Sequence, residues 1–236
     1  MKQGIWAEFL AVLATMMSLT ILIAYSGADL SVSSHFYQSN GWPVGEQFPW
    51  KWLYRMDGYP AIAIATFGLC SACSGGIMSR HRLWRRQGIF LVLLLVLGPG
   101  LLVNVVFKSH WGRPRPRDIV EFNGSQQFRH PWQPAINNSK GHSFPSGHCS
   151  AAFYMTAPFF IYRHRKPELA KRWLVGGAGF GLLMSYARIA QGGHFLSDTL
   201  WAWGIVHMLA IMLSTLLLSN RNTMVYAPQQ GELQDA

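Results

Sequence analysis

Residues 89–107 read IFLVLLLVLGPGLLVNVVF, an uncharged run rich in Leu and Val. A helix that crosses a bilayer needs roughly 20 mostly apolar residues, and this run is about that long. Inside lipid only helices and closed barrels satisfy every backbone group. The run lacks the alternation of a barrel strand, so a membrane helix is expected. Its Gly98-Pro99-Gly100 triplet would break a soluble helix. In a membrane bundle neighbouring groups satisfy the freed backbone, and a kink is expected instead.

Outward from that run lie five more apolar stretches, at 9–25, 59–78, 149–162, 173–187 and 199–219. The expected fold is therefore all-α: an integral membrane bundle of six transmembrane helices, forming a single domain over 1–236 with a flexible cytoplasmic tail at 220–236. Composition agrees. The chain is 50% apolar and 13% charged, against about 25% charged for a soluble domain. That balance excludes an ordinary soluble globule and also disorder, which needs low hydrophobicity and high charge. Three cysteines are too few, and odd in number, for a disulfide framework. The Cys70-x-x-Cys73 pair lies in an apolar stretch without a neighbouring His or acid, so packing is the expected role. The stretch at 9–25 is long for a signal-peptide core, and Lys2 is a thin basic flank; a retained helix is expected over a cleaved one.

The net charge of +10 narrows the partners once its positions are read. Two short connections are basic: Arg80, Arg82, Arg85 and Arg86 in one, and Arg163, Arg165, Lys166, Lys171 and Arg172 in the other. The positive-inside rule puts both in the cytoplasm, with both termini, and leaves 26–58, 108–148 and 191–197 outside. Any site on those outer loops is expected to face away from the cytoplasm. The charges sit on membrane loops of both faces, which disfavours nucleic acid as a partner. The outer loop 108–148 breaks the rule with Lys108, Arg113, Arg115, Arg117, Arg129 and Lys140. Charges that break a topological rule are candidates for chemistry. In loop 26–58, Trp42, Phe48, Trp50, Trp52 and Tyr54 read as an aromatic belt at headgroup level, with a substrate lid as the alternative.

Three clusters stand at the outer ends of the stretches. Lys108 and Arg115 offer a point charge and a planar fork of donors, a pair suited to phosphate. Pro114 and Pro116 stiffen the backbone that carries Arg115. Binding of lipid headgroups is the plainer alternative. Pro145-Ser146-Gly147-His148 opens the fourth helix. A helix start favours anions, Gly147 lets a ligand approach the backbone, Ser146 adds a hydroxyl or caps the helix, and His148 exchanges protons near neutral pH. In the third cluster Arg188 closes the fifth helix, and His194 and Asp198 stand at helical spacing. A carboxylate on one imidazole nitrogen leaves the other free as a nucleophile. The plainer alternative is an Arg188–Asp198 ion pair with His194 as bystander.

The spacings Lys108-x6-Arg115-Pro116, Pro145-Ser146-Gly147-His148 and Arg188-x5-His194-x3-Asp198 resemble the three motifs of the type 2 phosphatidic acid phosphatases. Order and internal spacing match over residues 108–198; Ala187 stands where the family often has Ser. The resemblance implies that His194 attacks phosphorus, Asp198 orients its imidazole, and His148 protonates the leaving oxygen and then activates water. It also implies that Lys108, Arg115, Ser146, Gly147 and Arg188 hold the phosphate oxygens. No metal and no cofactor are expected, since a zinc site on His142, His148, His194 and Asp198 leaves Lys108 and the arginines unexplained. Arg113, Arg117 and His142 are further candidate headgroup contacts. The expected function is hydrolysis of a membrane lipid phosphate or diphosphate: undecaprenyl diphosphate, phosphatidylglycerol phosphate, phosphatidic acid or a lipid A phosphate. Phosphoryl transfer to a second lipid and anion transport are the alternatives; the ionisable groups lie at one membrane end, which favours an enzyme over a transporter.

Overall fold

A computed structural model of the chain describes residues 2–39, 41–56, 58–74, 82–135 and 141–219. Arg80, Lys140, the Asn137-Asn-Ser sequon and the tail 220–236 lie outside them. Among the described residues, regular structure is helical apart from two isolated bridges. Over the described residues, all six apolar stretches are wound almost entirely as helix. α1 is Lys2–Ser26, followed by three short helices: α2 (Ala28–Phe36), α3 (Pro43–Glu46) and α4 (Trp50–Met56). α5 (Gly58–Ser74) pairs with α6 (Arg82–Leu95), which continues as a π-helical segment, Val96–Phe107, into α7 (Lys108–Trp111). α8 (Gly147–Phe153) and α9 (Ala157–Tyr162) are joined by a 3₁₀ turn and together form the fourth stretch. α10 (Pro167–Ala190) and α11 (Leu196–Leu218) complete the bundle.

By length and composition three of these are apolar enough to cross a membrane: Gly4–Ser26, Arg82–Asp118 and Leu196–Leu218. The protein is a membrane protein whose outer surface carries its large apolar side chains. Leu10, Leu22, Phe67, Val105, Leu182 and Leu216 all face outward, as lipid contact demands and water would penalise. The interior is built around Phe90, Leu94, Tyr154, Phe160, Val206 and Ile211. Tyr154 donates its hydroxyl proton to the Leu91 carbonyl at 2.9 Å, so its polar end is satisfied inside the core. Small residues bring helices close. A Cβ on Gly177 would strike the Met155 and Thr156 backbone, and one on Gly181 the Phe153 ring.

The Gly-Pro-Gly triplet widens its helix instead of breaking it. Pro99 cannot donate a backbone hydrogen bond, and the winding loosens over Val96–Phe107. Asn104 then donates its side-chain amide to the Pro99 carbonyl at 2.7 Å, five residues back. Cys70 and Cys73 lie exposed on α5, not packed as expected, while Cys149 is buried.

Candidate active site

Five residues from the three clusters, and Arg117 beside them, meet at one end of the bundle. Lys108, Arg115, Arg117, His148, Arg188 and His194 line a cavity of about 240 Å³, together with Glu46, Lys51, Tyr54, Arg55 and Gln191. Each is placed by a local feature. The π segment delivers Lys108 where it ends, and Lys108 Nζ donates to Asn104 Oδ1 at 3.1 Å. Asn104 is thus a relay from the Pro99 carbonyl to Lys108. α8 starts against this pair, since a Cβ on Gly147 would lie 2.5 Å from Asn104 Oδ1 and 2.9 Å from Lys108 Nζ. Ser146 caps α8 by accepting from the Cys149 amide at 3.3 Å, and His148 follows in the first turn.

His194 sits in the turn between α10 and α11 and is almost fully buried. Its Nδ1 lies 2.7 Å from the Ser143 carbonyl. A carbonyl only accepts, so Nδ1 carries the proton and Nε2 holds the lone pair. Asp198 Oδ2 stands 3.7 Å from Nδ1, close enough to act through charge, while the backbone carbonyl takes the direct bond. Asp198 is itself held from several sides: Ser143 Oγ and the Phe195 amide donate to Oδ2, and Arg113 pairs with Oδ1. Burial lowers the His194 pKa to about 4, with Asp198 pulling it upward and Arg188 and Lys108 adding to the fall. Burial also pushes His148 down to about 3, helped by the positive field of Arg188, His194, Lys108 and Arg115. The pocket without an anion therefore favours neutral imidazoles at physiological pH.

The cations in the cavity are incompletely neutralised. Arg188 Nη1 bonds Gln191 Oε1, and its guanidinium lies 4.6 Å from the centre of the Tyr54 ring. A Cβ on Gly193 would fall 2.4 Å from Arg188 Nη2, so the glycine makes room for that fold-back. The Nε atoms of Arg115 and Arg188 are buried with no hydrogen-bond partner among the described residues. Unsatisfied buried donors are costly unless a ligand completes them. An anion with several oxygens fits that need.

Two candidate headgroup contacts lie elsewhere. Arg113 is completely buried and does not reach the cavity. It bonds Asp29 Oδ2 at 2.8 Å, Ser197 Oγ at 2.8 Å and the Arg129 carbonyl at 2.8 Å, besides Asp198. The Arg188–Asp198 ion pair is likewise replaced by Arg113–Asp198. His142 points its Nδ1 at the Lys108 carbonyl at 3.2 Å and is absent from the cavity wall. Arg117 does line the cavity.

Loop 26–58 contributes more than a belt. Tyr54 lies against His148, ring centres 4.8 Å apart. Gln191 Nε2 donates to the Gly45 carbonyl at 3.1 Å, which ties the α3–α4 region to the same Gln191 that holds Arg188. Trp42 covers Gly192, whose φ of +59° and lack of a Cβ the turn requires. Asp29 and Gln191 were not singled out by the sequence patterns, and Tyr54 was read only with the aromatic belt of its loop. Among the described residues no group of three or more His, Cys, Asp or Glu is gathered to hold a metal ion.

The fold and the cavity define a helical membrane protein with an anion pocket built around two histidines. The chain belongs to the PAP2 superfamily, whose family model matches residues 89–222, and is a phosphatase of that kind. It is 30% identical to lipid A 4′-phosphatase of Francisella tularensis subsp. novicida (strain U112) over 79% of this chain and 84% of that one. It is 34% identical to lipid A 4′-phosphatase of Rhizobium leguminosarum over 46% of each chain. The crystal structure of a transmembrane PAP2-type phosphatidylglycerolphosphate phosphatase from Bacillus subtilis overlaps 88% of this chain and 94% of that one, with TM-score 0.48 and 20% identity.

Proposed function

We propose that the chain hydrolyses the phosphate of a membrane lipid through a phosphohistidine on His194, and that the lipid is of the lipid A type. The carrying observation is the cavity itself: a buried imidazole with its lone pair on Nε2 shares one wall with Lys108, Arg115 and Arg188. In the first step Nε2 of His194 forms a bond to phosphorus as the bond to the lipid oxygen breaks. That oxygen takes a proton from His148. In the second step the now neutral His148 takes a proton from water, whose oxygen bonds phosphorus and displaces Nε2, leaving inorganic phosphate. Lys108, Arg115, Arg188, Ser146 and the Gly147 amide hold the three equatorial oxygens, where charge is greatest in phosphoryl transfer. The bound phosphate also offsets the cations that depress His148, so the acid becomes protonated when its proton is needed.

The lipid A assignment is supported by the three lipid A 4′-phosphatases among the relatives, one matched over most of its length. A single domain over 1–236, six spans, both termini in the cytoplasm and a periplasmic site in an inner membrane complete the proposal. The basic residues of 163–172 and the placement of all three motifs at one bundle end support it. The apolar outer wall would let the acyl chains stay in the bilayer while the headgroup enters.

The test is phosphate release by the detergent-purified protein from lipid A, phosphatidylglycerol phosphate, phosphatidic acid and undecaprenyl diphosphate, with chelator present and His194→Ala as control. Release from lipid A, lost in the variant, is expected. Release from another lipid alone would overturn the substrate assignment. No release from any lipid by folded protein would overturn the phosphatase reading.

A further inference from the structure

Behind the proposed nucleophile, Asp198 of the third motif is joined to two charges to which the motifs assign no role, Arg113 and Asp29. Asp29, Arg113 and Asp198 are all buried, and they form one continuous chain: Asp29 to Arg113 at 2.8 Å, and Arg113 to Asp198. Ser197 ties Asp29 to Arg113 a second time. Its amide donates to Asp29 Oδ1 at 2.9 Å, its hydroxyl donates to Asp29 Oδ2 at 2.6 Å, and that hydroxyl accepts from Arg113 Nη1 at 2.8 Å. The Arg113 guanidinium lies over the Phe195 ring, 4.5 Å from its centre, which shuts out water. Every polar edge of this cluster is met by protein, unlike the cavity on the other side of His194.

The charges add to one net negative: two carboxylates against one guanidinium. Arg113 on its own would fully offset Asp198 and leave nothing to favour positive charge on His194. Asp29 answers that by taking the other arm of the fork. In a buried site such charges act at short range with little screening. We propose that Asp29 is a positioning residue for the phosphoryl transfer. Acting through Arg113, it keeps the negative charge of Asp198 available to the His194 imidazole as that ring becomes positive on bonding phosphorus. The inference rests on the reading of His194 as nucleophile. It assigns a role in the reaction to α2, a segment 168 residues from its contact at Ser197.

Asp29→Asn tests it, because the side chain keeps its size and can still accept from the Ser197 amide while its charge is gone. The expected result is a fall in kcat of about 10- to 100-fold, with KM within about twofold, because Asp29 does not line the cavity. Thermal unfolding in detergent should show a folded variant. Single-turnover mixing should place the loss in formation of the phosphoenzyme. The double variant Asp29→Asn with Arg113→Gln keeps one net negative charge and should have a higher kcat than Arg113→Gln alone, which leaves two carboxylates without a cation. A kcat for Asp29→Asn within twofold of the wild type would overturn the proposal. So would a loss that merely tracks the fraction of unfolded protein, or a double variant no better than Arg113→Gln. The His194→Ala control separates the two claims. If the wild type releases phosphate and His194→Ala does not, the nucleophile assignment stands even where the Asp29 proposal fails.

Discussion

Two arginines two residues apart, Arg113 and Arg115, meet opposite fates. Arg113 is locked behind His194 with both arms paired to carboxylates, while Arg115 lines the cavity with a buried Nε that lacks a hydrogen-bond partner among the described residues. The same contrast separates the two regions they belong to. The rear cluster is closed, and its polar groups are hydrogen-bonded within the protein. The cavity holds Lys108, Arg115, Arg117 and Arg188 with Glu46 as its acidic member. A folded protein tolerates unmatched buried cations only where something else matches them. The rear cluster is thus built for shape and local field, and the cavity for an anion that arrives from outside.

The largest expected effect comes from exchanging an arginine on each side. Arg113→Ala should lower the unfolding temperature sharply, because it leaves Asp29 and Asp198 as buried charges without their shared cation, a loss of about 3–5 kcal/mol. Arg188→Ala should leave the protein folded and cut kcat by about 10²–10³-fold, the usual cost of a missing transition-state donor. Thermal unfolding in detergent, read beside turnover, separates the two. Equal unfolding of both variants would break the comparison, since it would make Arg188 structural as well.

A smaller effect sharpens it through pH. With His194 at about 4 in the free protein, kcat/KM should fall below that pH as Nε2 takes a proton. With His148 at about 3, the free protein carries no proton for the leaving oxygen at higher pH. That proton must come with the substrate, whose second ionisation lies at about 6. Above that value kcat/KM should fall about tenfold per pH unit. A plateau that continues to pH 8 would show that the cavity field on His148 is weaker than its cationic lining implies.

Much of this was legible before any coordinates. The six apolar stretches are helical, because membrane helices declare themselves by length and hydropathy. The clusters around Lys108, His148 and His194 come together because each lies where a helix ends or begins at the same end of the bundle. What escaped was non-local. Asp29 reads as a lone acid near an apolar stretch, and its partners lie far along the chain at Arg113 and Ser197. Tyr54 and Gln191 carry no motif, and only their contacts with His148 and Arg188 draw them to the site. Arg113 was misassigned as a headgroup contact although a signal existed. Pro114 and Pro116 favour a polyproline backbone, which Arg115 adopts with φ −81° and ψ 158°. In an extended backbone neighbouring side chains point in different directions, and here Arg113 goes to the rear cluster and Arg115 to the cavity.

The most direct measurement of the central claim is to trap the intermediate. The purified protein would be mixed with lipid A labelled in the phosphate, quenched within milliseconds in base, digested and mapped by mass spectrometry. The account predicts a base-stable, acid-labile phosphoryl group on His194, absent from His194→Ala and still formed when His148 is replaced and a substrate with a good leaving group is supplied. Label on any other residue, or steady turnover with no labelled protein at any quench time, would contradict it.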